Sequence, residues 1–154
     1  MVAIRQATQE DATDLLPLLE EFFLQTKHHI DHGVPWIIED TSDVLKGLID
    51  NPDVVVLLAE EEGKLLGATA AMKTYLWLAP SSTVGIELFW YVYPEHRKSK
   101  AAKQLFNALE NWAKEINCDA FTMVALDHLE VERVAKIYKF KGYEPCERSF
   151  IKRL

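Results

Sequence analysis

With only two cysteines, Cys118 and Cys146, in 154 residues, the chain has no material for a disulfide scaffold or a cysteine zinc cluster. The apolar stretch from Lys73 to Pro80 is far too short to cross a bilayer. The opening MVAIRQATQEDATDLL lacks a secretory apolar core and runs straight into a capped-helix pattern, so the expected compartment is cytoplasmic and reduced. A surplus of basic charge is missing as well. With 17 Lys and Arg against 24 Asp and Glu, the net charge is −7. That argues against a general nucleic-acid binder while leaving room for a local anion site. Glycine-rich phosphate loops and dinucleotide fingerprints are absent. No repeat, long linker or low-complexity segment divides the chain, and its length suits a single domain over 1–154.

What is present is a regular alternation of patterns. VAIRQA reads as a first strand. Thr8 and Asp11 form a capping box ahead of the apolar positions Leu15, Leu16, Leu19, Phe22 and Phe23. TKHHIDHGVPW reads as turn-rich, and a second helix is expected from Thr41 or Ser42 to Asn51–Pro52. VVVLLAEEEGKLLGATAAMKTYLWL reads as an antiparallel hairpin turning at Glu62–Gly63. APSSTVG is expected to connect it to the strand IELFWYVY, which Pro94 ends. A long helix should follow over about Lys98–Ile116, burying Ala102, Leu105, Phe106, Leu109, Trp112, Ala113 and Ile116. AFTMVAL supplies another strand, Glu130 to Lys141 another helix, and YEPCERSFIKRL short extended segments. The implied fold is α/β (α+β): one mixed, mostly antiparallel twisted sheet flanked by helices.

The helix after Pro94 starts oddly. Arg97, Lys98, Lys100 and Lys103 place four cations within seven positions, where the helix dipole and free amides favour negative charge. A bound anion accounts for that choice; a solvated basic patch tolerated at some cost is the plainer alternative.

Here the chain resembles the GCN5-related N-acetyltransferase (GNAT) family. Val92–Tyr93–Pro94 matches the strand exit of its acetyl-coenzyme A motif. Arg97 stands at the Arg/Gln position, and Ala102 at the final Gly/Ala position. AKIYKFKGY resembles the family's late Y-x-x-x-G-[FY] region with Tyr138, Gly142 and Tyr143. Lys100 replaces the usual central glycine, and Val131 an asparagine seven residues before Tyr138.

The resemblance implies acetyl transfer from acetyl-CoA, a cosubstrate, to a primary amine by direct attack, with no metal. It implies cofactor contacts from Trp90, Tyr91 and Val92, and from Arg97, Lys98, Ser99, Lys100, Ala101, Ala102 and Lys103. Tyr138 would be the general acid toward the leaving thiolate, and Glu87 the base for the amine or a contact to it. Tyr138 read alone is an amphipathic core residue whose hydroxyl finds one partner. An acidic side chain inside IELFWYVY calls for a partner, a pocket or solvent.

His28, His29 and His32 lie among helix-stopping signals without a third-ligand motif, so surface or substrate-loop positions are expected rather than a metal site. The acceptor is a small-molecule or peptide amine. Phe22 to Trp36 and Tyr75 to Val84 are candidates for the walls that would bind it. Two other readings stay open: an acyl-CoA-binding or interaction module of the same fold with little catalysis, and a homodimer whose pocket is structural. Neither nucleic acid nor membrane is an expected partner.

Overall fold

The computed structural model describes all of residues 1–154. Strand β1 (Ala3–Gln6) leads into helix α1 (Ala12–Gln25), the single turn α2 (His28–Asp31) and helix α3 (Ile38–Asp50). Strands β2 (Val54–Glu61), β3 (Lys64–Leu76) and β4 (Ala79–Val92) follow. Helix α4 (Ala101–Glu115), strand β5 (Ala120–Thr122) and helix α5 (Val131–Phe140) complete the order. The sheet runs β1-β2-β3-β4-β5, antiparallel at every junction except the parallel pairing of β4 with β5. This is the mixed, mostly antiparallel sheet that the sequence implies.

The pattern VVVLLA has no polar face because both faces of β2 are covered. Val54, Val56 and Leu58 pack with Leu15 and Leu18 of α1 and Leu45 of α3. Val55, Leu57 and Ala59 point the other way, onto Ala101, Leu105 and Leu109 of α4, as the two-residue period of a strand requires. The hairpin turns where expected. Glu62 and Gly63 both have positive φ, 53° and 77°, as a two-residue turn matched to strand twist demands.

Several boundaries differ from the sequence reading. Helix α3 begins at Ile38, ahead of Thr41, because the Thr41 hydroxyl does not cap. It donates back to the Ile37 carbonyl at 3.1 Å, while Glu39 and Asp40 supply the acidic first turn. APSSTVG is strand rather than connection: β4 starts at Ala79, and Trp77–Leu78 makes the turn. Pro80 is tolerated at the irregular end of the ladder, outside the Val84–Ile86 span that pairs with β5.

Helix α4 starts at Ala101, since Pro94–His96 forms a separate 3-10 turn. Its buried residues are Ala101, Leu105, Phe106, Leu109 and Ala113; Ala102, Trp112 and Ile116 are only half-buried. The segment TKHHIDHGVPW contains the one-turn α2, β5 is three residues long, and 143–154 contains no strand. No helix is long and apolar enough to cross a membrane.

Candidate active site

Strand β4 lies beside β5 only over Val84–Ile86, and the two then part. At the parting β4 carries an extra residue. Ala71 faces Glu87 while its neighbour Ala70 faces Phe89, so Leu88 has no partner on β3. A bulge of this kind bends a strand and re-aims the side chains around it. Between the freed end of β4, the chain after β5 and α5 lies a cleft of about 350 Å³. Its walls include Glu87, Trp90, Tyr91 and Val92 of β4, Arg97 and Ala102 near the start of α4, and Tyr138 of α5. Phe22 and Gln25 of α1 close one side, and His128, Glu130 and Arg133 another.

Glu87 is only 6 % exposed, and burial pushes its carboxyl up to about 7. The Val124 amide donates to its Oε2 at 2.7 Å, a smaller and opposing influence. Its Oε1 has no partner within the protein. Tyr138 is also buried, and its hydroxyl donates to the Val124 carbonyl at 2.7 Å. Its ring centroid lies 6.2 Å from that of Trp90 and 6.0 Å from those of Phe106 and Tyr143. Burial, with the nearby Glu87 carboxyl and Tyr143 adding to it, pushes the phenol well above its ordinary value and keeps it protonated.

On the α1 side, the Tyr91 hydroxyl donates to Glu21 Oε1 at 2.7 Å and accepts from the Gln25 amide. The Arg97 guanidinium sits 5.5 Å from the Tyr91 ring centroid. Its Nε donates to the Val92 carbonyl at 3.2 Å and a terminal nitrogen to Gln25 at 3.4 Å. Arg97 thus ties the strand exit to α1 while still facing the cleft.

The remaining cations behave differently. Lys98, Lys100 and Lys103 are exposed, and neither they, Ser99 nor Ala101 line the cleft. Ser99 Oγ accepts the Ala101 amide at 3.1 Å. The amides of Lys100, Ala102 and Lys103 have no partner within the chain, as a helix start leaves them. Lys100 has φ −79° and ψ −4°, ordinary helical angles, so a side chain in place of glycine brings no backbone strain.

His28 and His32 meet through their Nδ1 atoms at 3.2 Å, each the other's partner rather than half of an open ligand set. His128 approaches Asp31 of α2 at 3.4 Å. Val124 contributes through its backbone alone and so carries no signal in the sequence. Glu130 and Arg133 are further cleft residues beyond those expected from the sequence, and their i,i+3 spacing at a helix start is a readable sign of a charge pair.

The sequence matches the profile of the Acetyltransferase (GNAT) family over residues 12–142. An uncharacterized N-acetyltransferase, YhfO of Bacillus subtilis (strain 168), is 26 % identical over 149 residues, which is 92 % of this chain and 89 % of that protein. The crystal structure of a predicted acetyltransferase with acetyl-CoA from Clostridium acetobutylicum superposes with a TM-score of 0.78. It is 18 % identical, and the match covers 99 % of this chain and 96 % of that one. The aminoglycoside N-acetyltransferase AAC(6')-Iy, solved with CoA, also reaches a TM-score of 0.78 at 20 % identity, over 100 % of this chain and 95 % of its own.

Proposed function

Because the chain belongs to the acetyltransferase (GNAT) family, we propose that residues 1–154 form one N-acetyltransferase domain that moves acetyl from acetyl-CoA to a primary amine. The observation that carries this reading is the parting of β4 from β5 with Glu87 and Tyr138 on the same cleft. The residues present suit acetyl-CoA. Free amides of Lys100, Ala102 and Lys103 and the Arg97 guanidinium offer donors to phosphate oxygens. The apolar wall of Trp90, Val92 and Ala102 suits the uncharged arm.

The chemistry assigned to the chain follows from its two buried titratable groups. The amine must be neutral to attack the thioester carbonyl. A carboxylate held near 7, with Oε1 free, is suited to take its proton at neutral pH. The carbon–nitrogen bond forms, the carbon–sulfur bond breaks, and the electron pair leaves with sulfur. Tyr138, kept protonated, is the donor assigned to that sulfur, giving the free thiol; its hydroxyl must turn from the Val124 carbonyl to do so. The open backbone beyond Leu88 would orient the acetyl group. The acceptor is a small-molecule or peptide amine, drawn to an acidic protein.

Calorimetric titration with acetyl-CoA, followed by thiol release over a panel of primary amines, tests this. Saturable binding and amine-dependent thiol release are expected. A folded sample that shows no binding at high micromolar ligand sinks the proposal.

A further inference from the structure

Two arginines face the cleft, and a single carboxylate holds both. Glu130 Oε2 lies 3.8 Å from Arg97, and its Oε1 lies 3.2 Å from Arg133. All three residues line the cleft, whereas Lys98, Lys100 and Lys103 do not. Glu130 is also the N-cap residue of α5, where an acidic side chain ordinarily accepts its own helix's amides. It makes no such bond. Its backbone instead adopts the left-handed conformation, φ 49° and ψ 42°, one that residues with a Cβ take up only at a cost. The carboxylate thus caps none of its own helix's amides and lies between Arg133 of α5 and Arg97, in the turn before α4.

Resting on the acetyl-CoA reading, we propose that Arg97, Glu130 and Arg133 form an anion latch. Glu130 holds both arginines in the free protein, and a coenzyme phosphate displaces its carboxylate and takes them over. Arg133 thereby becomes a second cation for the phosphates, supplied from α5 opposite the start of α4. A diphosphate brings more charge and more acceptor oxygens than a carboxylate, and a guanidinium can bind it through two nitrogens at once. Side-chain exposures of 33 % for Arg97, 53 % for Glu130 and 63 % for Arg133 leave the latch open to solvent, so a competing anion can reach it and salt will weaken it.

The test compares acetyl-CoA with S-acetylpantetheine, which lacks the phosphates, by calorimetry at low and high salt. Glu130→Gln should tighten acetyl-CoA by about two- to fivefold at low salt, the range of an exposed ion pair. Glu130→Gly, which suits the left-handed backbone without the charge, should do the same. Arg133→Gln should weaken acetyl-CoA to a similar degree, and in the double variant the gain from Glu130→Gln should shrink. None of these changes should alter S-acetylpantetheine binding. Unchanged or weaker acetyl-CoA binding in both Glu130 variants, or equal shifts with the phosphate-free probe, would overturn the latch while leaving the functional reading intact. Failure of the unaltered protein to bind acetyl-CoA would instead remove that reading, and the latch with it.

Discussion

Glu87 and Tyr138 grip opposite sides of one residue. The Val124 amide donates to Glu87 Oε2 and the Val124 carbonyl accepts from the Tyr138 hydroxyl, each at 2.7 Å. The arrangement explains why β5 stops at Thr122. Two residues later, backbone groups that could extend its pairing with β4 are taken by side chains from β4 and α5. The same contacts hold the cleft open and set two titratable groups side by side.

The first prediction concerns Glu87. Its carboxyl is raised from 4.5 to about 7 in the folded protein, so folding favours the protonated form. The resulting stability is complete below pH 4.5 and is lost as pH rises through 7. Glu87→Gln should therefore gain on the unaltered protein by as much as about 3 kcal/mol between pH 4.5 and 8.5, read by denaturant unfolding. A flat difference contradicts the buried, raised carboxyl. If Glu87 is the base, the variant's turnover deficit should shrink at higher pH, where the amine loses its proton unaided.

Gly67 offers a purely steric prediction. A Cβ there would lie 2.6 Å from the Tyr91 carbonyl oxygen and 2.9 Å from Val92 Cα, both backbone atoms of β4. Gly67→Ala must push β3 and β4 apart and should cost roughly 1–3 kcal/mol, read as a lower Tm. Gly47, inside α3 with nothing within 4 Å of such a Cβ, is the control. Gly47→Ala should stabilise by roughly 0.5–1 kcal/mol. Equal effects would mean that strand spacing is softer than the packing implies.

Local chemistry made much of this legible. Glu62–Gly63 marked its turn through the residue types it needs, and the unbroken apolar run of β2 marked a strand covered on both faces. Pro80, Ser81 and Ser82 resemble loop, and they fall within β4 only as the unpaired irregularity between the Leu76–Ala79 and Tyr75–Thr83 pairs. Thr41 resembles a cap, yet its hydroxyl bonds backward. At the site, Glu87, Trp90, Tyr91, Val92, Arg97, Ala102 and Tyr138 share the cleft, while the lysines that drew attention to the helix start do not. Val124 carried no signal, because any residue there offers the same amide and carbonyl.

The basic segment should show a hierarchy. Arg97 faces the cleft and is fixed by Val92 and Gln25, whereas Lys98 and Lys103 are exposed and point elsewhere. Charge reversal at Arg97 should weaken acetyl-CoA binding about tenfold or more, and reversal at either lysine about threefold or less. Equal losses in the three folded variants would reject the ranking.

Lys100→Gly should leave the helix start intact, since glycine is accepted at an N-cap. It should lower acetyl-CoA affinity about twofold, an effect that disappears at high salt as a solvated charge requires. Tighter binding would instead mean that the lysine obstructs the phosphates.

Tyr138 must be separated from its structural work. Tyr138→Phe keeps the ring packed against Trp90, Phe106 and Tyr143 but removes the hydroxyl from the Val124 carbonyl. That should cost about 1–2 kcal/mol of stability whatever the tyrosine does in catalysis, so a lower Tm decides nothing about the reaction. The discriminating measurement is single-turnover acyl transfer, made on folded variant with an accepted amine. With Tyr138 as proton donor, acetyl-CoA affinity should stay within roughly threefold while the chemical rate falls tenfold or more. If the phenol only anchors Val124, the rate should hold once folding is restored, and the variant should differ mainly in the pH dependence set by Glu87, whose Val124 partner has loosened. An unchanged rate with an altered pH profile would therefore assign Tyr138 to positioning and leave solvent to protonate the thiolate.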